Sequence, residues 1–256
     1  MREKLIKALE ILKEKTKKEC YKMVVEEGKP EITDNKLGGI PYMPLGEDYP
    51  LDSEGDPMGL LIQVNLKDID LEDYPKTGIL QVFTDAKGLW PCQYKIKYVK
   101  EGLEYRTDLD EIDTDEFYII RPMKIRFEKS VAYMSVNDYR FFDILCPILN
   151  EILGTNLEHY GQTSDYFDEN GLEEWFSIVL DSIPYDFGTI GGYPDFTQDD
   201  PRPLGRDLEE CLFKLDSCLK GENIILGDSG IMFCFISKED IKSCKFENAF
   251  LDWDCC

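Results

Sequence analysis

Two similar stretches, Lys36-Leu-Gly-Gly-Ile-Pro-Tyr and Thr189-Ile-Gly-Gly-Tyr-Pro-Asp, decide how this chain is expected to fold. Both are dense in glycine and proline, which is typical of a loop and excludes a helix. Adjacent glycines indicate positive φ angles or a close approach of one backbone to another. We therefore interpret the residues that the two stretches share as structural corners: Gly38, Gly39, Pro41, Gly191, Gly192 and Pro194.

Two further pairs of segments follow the glycine pairs in the same order. Leu61-Ile-Gln-Val-Asn matches Leu212-Phe-Lys-Leu-Asp at a separation of 151 positions (212 − 61). Thr77-Gly-Ile-Leu-Gln-Val-Phe matches Ser229-Gly-Ile-Met-Phe-Cys-Phe at 152 (229 − 77), and the glycine pairs lie 153 apart (191 − 38). A nearly constant separation indicates internal duplication. We predict a single domain over residues 1–256, with pseudo-repeats at about 34–100 and 187–241.

Hydrophobic periodicity predicts the elements around these corners. An N-terminal helix is expected within residues 1–18, and a helical connection over 137–182 is expected to contain helices at 137–153 and 172–182. The first of these has a capping box at Ser135-Val-Asn-Asp138 and ends at Gly154. Short apolar runs between turn signals predict strands at 21–25, 58–65, 78–83, 93–99, 117–121, 123–127 and 131–136. The predicted fold class is therefore α+β.

The charge of the chain limits its partners. Lys and Arg number 29 against 52 Asp and Glu, which gives a net charge of −23. Such a chain repels nucleic-acid backbones and anionic membranes, so neither is an expected partner. A basic protein partner fits this field better, while solubility alone is the simpler explanation of the charge.

The cysteines and the N-terminus indicate a cytoplasmic protein without a cofactor. Nine cysteines occur without a Cys-x-x-Cys pair, and there is one histidine, so the spaced ligands of a zinc site are missing. Reduced, buried thiols in a cytosolic protein explain this pattern. The N-terminus has no apolar signal-peptide core, and no apolar run is long enough to span a membrane.

Three features of the sequence resemble catalytic or metal-binding patterns, and each also has a simpler interpretation. Gly227-Asp-Ser-Gly230 resembles the loop of a serine nucleophile, with His159 as the available base, but a β-turn explains it fully. Asp168-x-Asn170-Gly171 fits part of a calcium loop, yet Tyr166 and Ser177 stand where the first and last ligands belong. Paired carboxylates for hydrolysis remain open, since an acidic chain offers many candidates.

The same motifs also carry a family resemblance. The stretches beginning at Lys36, Gly55-Asp-Pro-Met-Gly, Gly78, Ile190 and Gly227 are similar, in their order, to the YwqG-like family, a bacterial domain of unknown function. The resemblance covers about residues 34–241. It implies a mainly antiparallel β-sheet with peripheral helices and an internal duplication, and it implies no established activity or catalytic residues. Relatives are associated with toxin and immunity genes, which implies an immunity-like, partner-binding role.

Two functional hypotheses follow. The first is a non-enzymatic interaction protein for a basic partner, with a recognition surface that includes exposed aromatic residues between the pseudo-repeats. The candidate residues for this surface are Tyr160, Tyr166, Trp175 and Tyr185. The alternative is a hydrolase whose paired carboxylates lie in a cleft between the two halves.

Overall fold

The computed structural model describes residues 1–85, 92–110, 118–203, 207–219 and 224–255. Its strands are β1 (Lys18–Val25), β2 (Lys36–Leu37), β3 (Gly59–Asn65), β4 (Ile79–Thr84), β5 (Tyr94–Val99), β6 (Met123–Ala132), β7 (Gly188–Gly191), β8 (Glu210–Asp216), β9 (Ile231–Ile236) and β10 (Phe250–Asp254). Its α-helices are α1 (Arg2–Thr16), α2 (Phe141–Leu153), α3 (Tyr160–Glu169), α4 (Trp175–Ser182) and α5 (Lys238–Lys242). The mostly antiparallel sheet with peripheral helices confirms the predicted class.

The strands form one ten-stranded sheet in the order β10-β9-β8-β7-β1-β6-β2-β3-β4-β5. We call β6, β2, β3, β4 and β5 arm A, and β1, β7, β8, β9 and β10 arm B. The two arms meet where β1 pairs with β6 along its whole length. Although β1 precedes arm A in the chain, it pairs on its other edge with β7 of arm B. In the same way β6 pairs with β2.

The outer ends of the sheet approach each other, so the sheet is nearly a closed barrel. The Tyr94 hydroxyl of β5 donates to the Ala249 carbonyl, which directly precedes β10, at 3.3 Å. The ring of Tyr98 packs on that of Phe246 with centroids 5.6 Å apart. Closure brings the inward-facing side chains of both arms together in one hydrophobic core. This core includes Leu61, Val64, Leu80, Val82, Leu212, Leu215, Met232 and Cys234.

The two arms share their backbone register. β3 and β4 pair with an irregularity between Leu60 and Ile62, and β8 and β9 pair with one between Cys211 and Phe213. In arm A, Lys36 of β2 lies opposite Gln63 of β3. The matching position of arm B joins Thr189 of β7 to Lys214 of β8. The same rung of the ladder therefore carries a lysine in each arm, but on different strands.

The glycine pairs form corners at the ends of β2 and β7. Gly38 and Gly39 have φ angles of 70° and 78°, and Gly191 and Gly192 have 74° and 82°. A Cβ on Gly38 would lie 2.8 Å from Ile119 Cγ2, and one on Gly191 would lie 2.7 Å from Leu71 Cδ1. Both the positive φ angles and the close approach therefore require glycine at these positions.

Helices α1 to α4 form a helical layer with its own core, which packs against the end of β6 at Ala132 and against Tyr193, just after β7. α1 buries Leu5, Ala8, Leu9 and Leu12 at helical spacing against the apolar faces of α2 and α4. No helix in the described part of the chain is long and apolar enough to cross a lipid bilayer. Because α2, α3 and α4 lie between β6 and β7 in sequence, they also set the path by which the chain enters arm B.

Helix α2 begins later than predicted because the residues expected to cap it make tertiary contacts instead. The carboxylate of Asp138 has no exposed side-chain surface and binds Arg140 and Arg202 at 2.7 and 2.9 Å. Burial opposes the ionisation of Asp138, but the two guanidinium groups outweigh it and hold its pKa below its usual value. Ser135 Oγ donates to Asp195 at 2.6 Å. The helix therefore starts at Phe141 rather than at Asn137, and it ends at Gly154 in the predicted left-handed conformation.

Other predicted boundaries also need correction. The strands expected at 123–127 and 131–136 are one strand, β6, which ends at Ala132. Of the strand expected at 117–121, Phe117 lies outside the described residues, and the rest makes only an isolated bridge between Ile119 and Ile224. Helix α3 and strand β10 were not predicted. Their apolar residues are too few, or too interrupted by acidic residues, to give a clear period.

Candidate binding sites

A wide acidic pocket lies where the segment 198–201 faces β10. Its volume is about 600 Å³. The lining, which we call the acidic pocket, consists of Gln198, Asp199, Asp200, Pro201, Phe233, Asp252, Trp253, Asp254 and Cys255. It thus combines four carboxylates with two aromatic rings and contains no basic residue.

Hydrogen bonds hold part of this acidic lining in place. The Asp254 carboxylate accepts the backbone N–H groups of Thr197 and Gln198 at 3.1 and 3.0 Å. Asp200 pairs with the buried guanidinium of Arg202 at 2.5 Å, so its charge is compensated from behind. Asp199 is exposed at the surface. The pocket is therefore negatively charged, and one of its carboxylates is fixed by the backbone.

A second, smaller cavity lies between the end of α4 and the outer face of arm B. Its volume is about 190 Å³. We call it the Lys214 cavity, and its lining consists of Val131, Ala132, Tyr133, Ser135, Val136, Leu180, Ile183, Pro184, Tyr185, Asp186, Thr189, Tyr193, Pro194, Asp195 and Lys214. Lys214 lies here because its neighbours Phe213 and Leu215 face the central core, which turns its own side chain to the outer face.

Lys214 is a buried cation at this cavity. Only 5% of the residue is exposed, and its Nζ lies 3.8 Å from the centroid of the Tyr185 ring. Within the described residues, this contact with the ring is the one direct contact that Nζ makes with a polar or aromatic group, and no hydrogen bond or ion pair reaches it. Burial lowers the pKa of Lys214, and the charges of Asp195, Asp216 and Asp186 oppose that shift only in part.

The Tyr185 ring is held under the lysine by its hydroxyl. Tyr185 Oη donates to Asp216 Oδ2 at 2.5 Å. Burial and the neighbouring Asp216 carboxylate raise the pKa of Tyr185 well above its usual value, so the hydroxyl stays protonated and remains a donor. The negative face of the ring is thereby presented to the ammonium group of Lys214.

Two carboxylates and a hydroxyl complete the polar lining. Asp195 Oδ1 accepts from Ser135, Asn137 and the backbone of Phe196, and Asp186 Oδ2 accepts from Ser130 at 3.0 Å. The other oxygen of each carboxylate accepts no hydrogen bond from the described residues. The hydroxyl of Thr189, opposite Lys214 in the ladder, is buried and has no partner in that part of the chain.

The aromatic residues predicted as an interaction surface do not lie together at the surface. Tyr160 is 49% exposed, but Trp175 is only 2% exposed and packs beneath it with ring centroids 5.7 Å apart. Tyr166 is half-buried in the helical layer. Tyr185 is 38% exposed at the mouth of the Lys214 cavity. Only Tyr160 and Tyr185 therefore offer substantial aromatic surface, and the two belong to different sites.

The segment Gly227-Asp-Ser-Gly230, which resembles the loop of a serine nucleophile, contains a turn at residues 227–229. Ser229 is an exposed residue of the turn before β9, next to Gly227 with a φ of 60°. His159 immediately precedes α3, where its side chain makes no capping hydrogen bond. Among the described residues, no group of three or more His, Cys, Asp or Glu side chains is arranged to hold a metal ion.

Neither concave site was found from the sequence. Lys214 is part of the repeated segment Leu212-Phe-Lys-Leu-Asp, but a lysine in a strand is typically a solvent-facing residue. The residues that line the cavity around Lys214, from Ile183 to Asp195, lie about 20 to 30 positions earlier in the chain, so the sequence next to Lys214 does not reveal them. The sequence signal for its burial is its position between the apolar residues Phe213 and Leu215, and the structure buries every residue from Cys211 to Asp216.

These features define a class: a nearly closed antiparallel sheet with peripheral helices and surface cavities lined by charged residues. The family described as a domain of unknown function (DUF1963) matches residues 35–255, and the chain belongs to this family. The match confirms that the chain is a domain of unknown function, as the sequence resemblance implied, but it does not confirm the YwqG-like name. No curated protein matches the chain.

Proposed function

We propose that this protein is a non-enzymatic binding protein that takes a basic protein partner at the acidic pocket. The observation that carries this proposal is the pocket itself, where Asp199, Asp252 and Asp254 line the same space as Phe233 and Trp253. A lysine or arginine side chain gains from both kinds of group, because carboxylates attract its charge and aromatic faces attract desolvated cations.

The overall charge supports the same proposal. With a net charge of −23, the chain attracts cationic surfaces from a distance and accelerates encounter with a basic partner. Neutralising a toxin-like basic protein is the particular case that the family resemblance implies. The proposed location is cytoplasmic, as expected from the cysteines.

We further infer that the chain arose by internal duplication, with a single domain built from two pseudo-repeats. The shared registers support this inference: Lys36 lies between Lys124 and Gln63, and Thr189 lies between Lys22 and Lys214. Superposition of residues 36–83 on 189–235 tests it, and unrelated backbone paths would contradict it. The acidic pocket and the Lys214 cavity both lie at arm B, so their functions would have arisen after duplication.

The alternative, a hydrolase with paired carboxylates between the halves, receives no specific support. A cavity at the boundary of the arms is lined by Asp73 and Glu210 among others. Asp73 binds Lys238 at 2.8 Å and Glu210 binds Lys18 at 3.0 Å. The hydrogen bond from Lys238 lowers the pKa of Asp73, whereas a general acid in glycoside hydrolysis needs a raised pKa.

A peptide of four lysines is a defined probe for the acidic pocket. Fluorescence anisotropy at low salt should show binding that weakens by about tenfold, or 1.4 kcal/mol, in the double variant Asp199→Asn/Asp252→Asn. The matched control is Glu10→Gln/Glu14→Gln on the exposed face of α1, which changes the net charge equally. Equal weakening by both double variants would contradict a local site. With native-host extract, the bound partner should be basic and released by salt.

A further inference from the structure

We propose that the Lys214 cavity binds a small zwitterion with the functional groups of a free amino acid, one carboxylate and one amine, together with an apolar side chain. This site is independent of the acidic pocket and of the basic partner. It lies on the outer face of arm B, beneath the segment from Ile183 to Asp195.

The first argument is the unpaired cation. Lys214 is 95% buried, and its ammonium group contacts the Tyr185 ring but receives no anionic or carbonyl partner from the described residues. An ammonium that loses water on folding normally recovers its hydrogen bonds within the protein. Thr189 beside it has a buried hydroxyl that also lacks a partner. A ligand carboxylate would satisfy both groups at once.

The second argument is the charge of the remaining lining. Asp186 and Asp195 face the same cavity, and each has one carboxylate oxygen that accepts nothing from the described residues. A ligand with a carboxylate alone would be repelled by these two acids. An amine on the same ligand reverses that effect, because it can donate to the free oxygens. The lining is therefore complementary to a ligand that carries both a carboxylate, for Lys214, and an amine, for Asp186 and Asp195.

The third argument is the size and the apolar part of the cavity. The volume of about 190 Å³ is many times the ~10–15 Å³ that a single buried water requires. Val131, Val136, Leu180 and Ile183 supply an apolar wall. These dimensions suit a ligand of amino-acid size, with its charged end toward Lys214 and its side chain toward this wall.

The arrangement in arm A strengthens the inference. There the buried Lys36 donates to the carbonyl oxygens of Glu31, Ile32 and Ile40 at 2.8, 2.9 and 2.6 Å. The fold can therefore satisfy a lysine at this rung with its own backbone. In arm B the corresponding acceptors are absent from the described residues around Lys214, and a cavity occupies the space beside it.

Isothermal titration calorimetry with free alanine, valine, leucine, isoleucine, methionine and phenylalanine tests the proposal. At least one of these should bind the full-length protein at millimolar concentration or tighter. For leucine, the matched probes are 4-methylpentanoate, which lacks the amine, and 3-methylbutylamine, which lacks the carboxylate. Each should bind at least tenfold more weakly than the amino acid.

Two variants place the binding at the cavity. Lys214→Met should abolish binding of the amino acid, while Lys7→Met, which removes the same charge from the exposed face of α1, should leave it unchanged. Asp186→Asn should weaken the amino acid more than 4-methylpentanoate, because it removes an acceptor for the amine. A correctly folded wild-type protein that binds none of the six amino acids would overturn the proposal. So would equal binding of 4-methylpentanoate, or binding that survives in Lys214→Met.

Discussion

Arm A and arm B each bury a lysine at the same rung of the sheet, and they treat it differently. Lys36 is enclosed by three backbone carbonyls from the loops on either side of β2. Lys214 has an aromatic ring beneath it and a cavity beside it. Since a buried charge must be compensated, the difference separates a lysine that holds a loop in place from one that is available to a ligand.

The neighbours of the two lysines follow the same division. Gln63, opposite Lys36, donates to the carbonyls of Ile32 and Asp34 and accepts from the backbone of Tyr42. Thr189, opposite Lys214, makes no hydrogen bond through its hydroxyl within the described residues. Arm A therefore uses its outer polar groups to fasten the segment 31–42, and arm B leaves comparable groups unsatisfied.

Removing the lysine of arm A should produce the largest effect. Lys36→Met removes the donor to the part-buried carbonyls of Glu31, Ile32 and Ile40. The Ile32 carbonyl keeps its hydrogen bond from Gln63 and the Glu31 carbonyl keeps one from the backbone of Asp34, whereas the Ile40 carbonyl is left without a donor from the described residues at a cost of about 1–3 kcal/mol. We expect the free energy of unfolding to fall by about 3 kcal/mol in urea denaturation. Lys95→Met, on the exposed side of β5, is the matched control and should change little. A loss below 1 kcal/mol in Lys36→Met would show that these hydrogen bonds do not stabilise the arm.

The glycine corners test whether the arms are equivalent in backbone as well as in register. Gly38→Ala and Gly191→Ala should each lower the free energy of unfolding by about 2 kcal/mol, because a left-handed conformation costs ~1–2 kcal/mol and the new Cβ meets Ile119 or Leu71. Gly46→Ala is the control, since its φ is 85° but nothing lies within 4 Å of the added atom. If Gly46→Ala were equally destabilising, strain alone would explain both corners.

The lysine of arm B should give the smallest effect, and one of opposite sign. Lys214→Met should raise the free energy of unfolding of the ligand-free protein by about 1 kcal/mol. The lost attraction to the Tyr185 ring is worth about 2 kcal/mol, whereas burying an ammonium without a partner costs several kcal/mol. Thermal unfolding at neutral pH measures the change. A substantial loss of stability would mean that Lys214 is satisfied after all.

The same variant has a pH dependence of predictable direction. Because burial lowers the pKa of Lys214 in the folded state, the unfolded chain binds its proton more tightly. The resulting penalty is complete below the lowered pKa and disappears as the pH rises toward 10.5, the ordinary value. The advantage of Lys214→Met should therefore shrink with rising pH; the charged groups that face Lys214 are Asp186, Asp195 and Asp216. A constant difference would contradict the lowered pKa.

Much of the sheet could be predicted from sequence because many of its strands are apolar runs bounded by turn residues. The predicted strands 58–65, 78–83 and 93–99 lie within one residue of the observed bounds of β3, β4 and β5. The start of α2 was not, because Asp138 and Ser135 have the right chemistry for a cap but are engaged by Arg202 and Asp195, which are distant in sequence. Local signals cannot reveal such competition from tertiary contacts.

The candidate sites were harder still. The net charge pointed to a basic partner, but nothing in the sequence brings Asp199 and Asp254 to one pocket. Trp175 was assigned to a surface because tryptophan is common in interfaces, yet its spacing on α4 turns it toward α3, where it stacks on Phe167 with ring centroids 5.6 Å apart. Lys214 has an ordinary sequence context. Its burial depends on the register with Thr189 and on the segment that crosses above it.

The position of β1 between β6 and β7 at the centre of the sheet affects the order in which the strands can pair during biosynthesis. β1 emerges early from the ribosome, but its partners are β6, about 100 residues later, and β7, about 170 residues later. Pairings between such distant segments form slowly because a long loop must close first. The β3-β4 and β4-β5 hairpins of arm A can therefore form first during translation, while β1 waits for β6 and is paired on both edges only after β7 has emerged. We expect this strand to be the last of the early segments to become protected, and the one most dependent on chaperones.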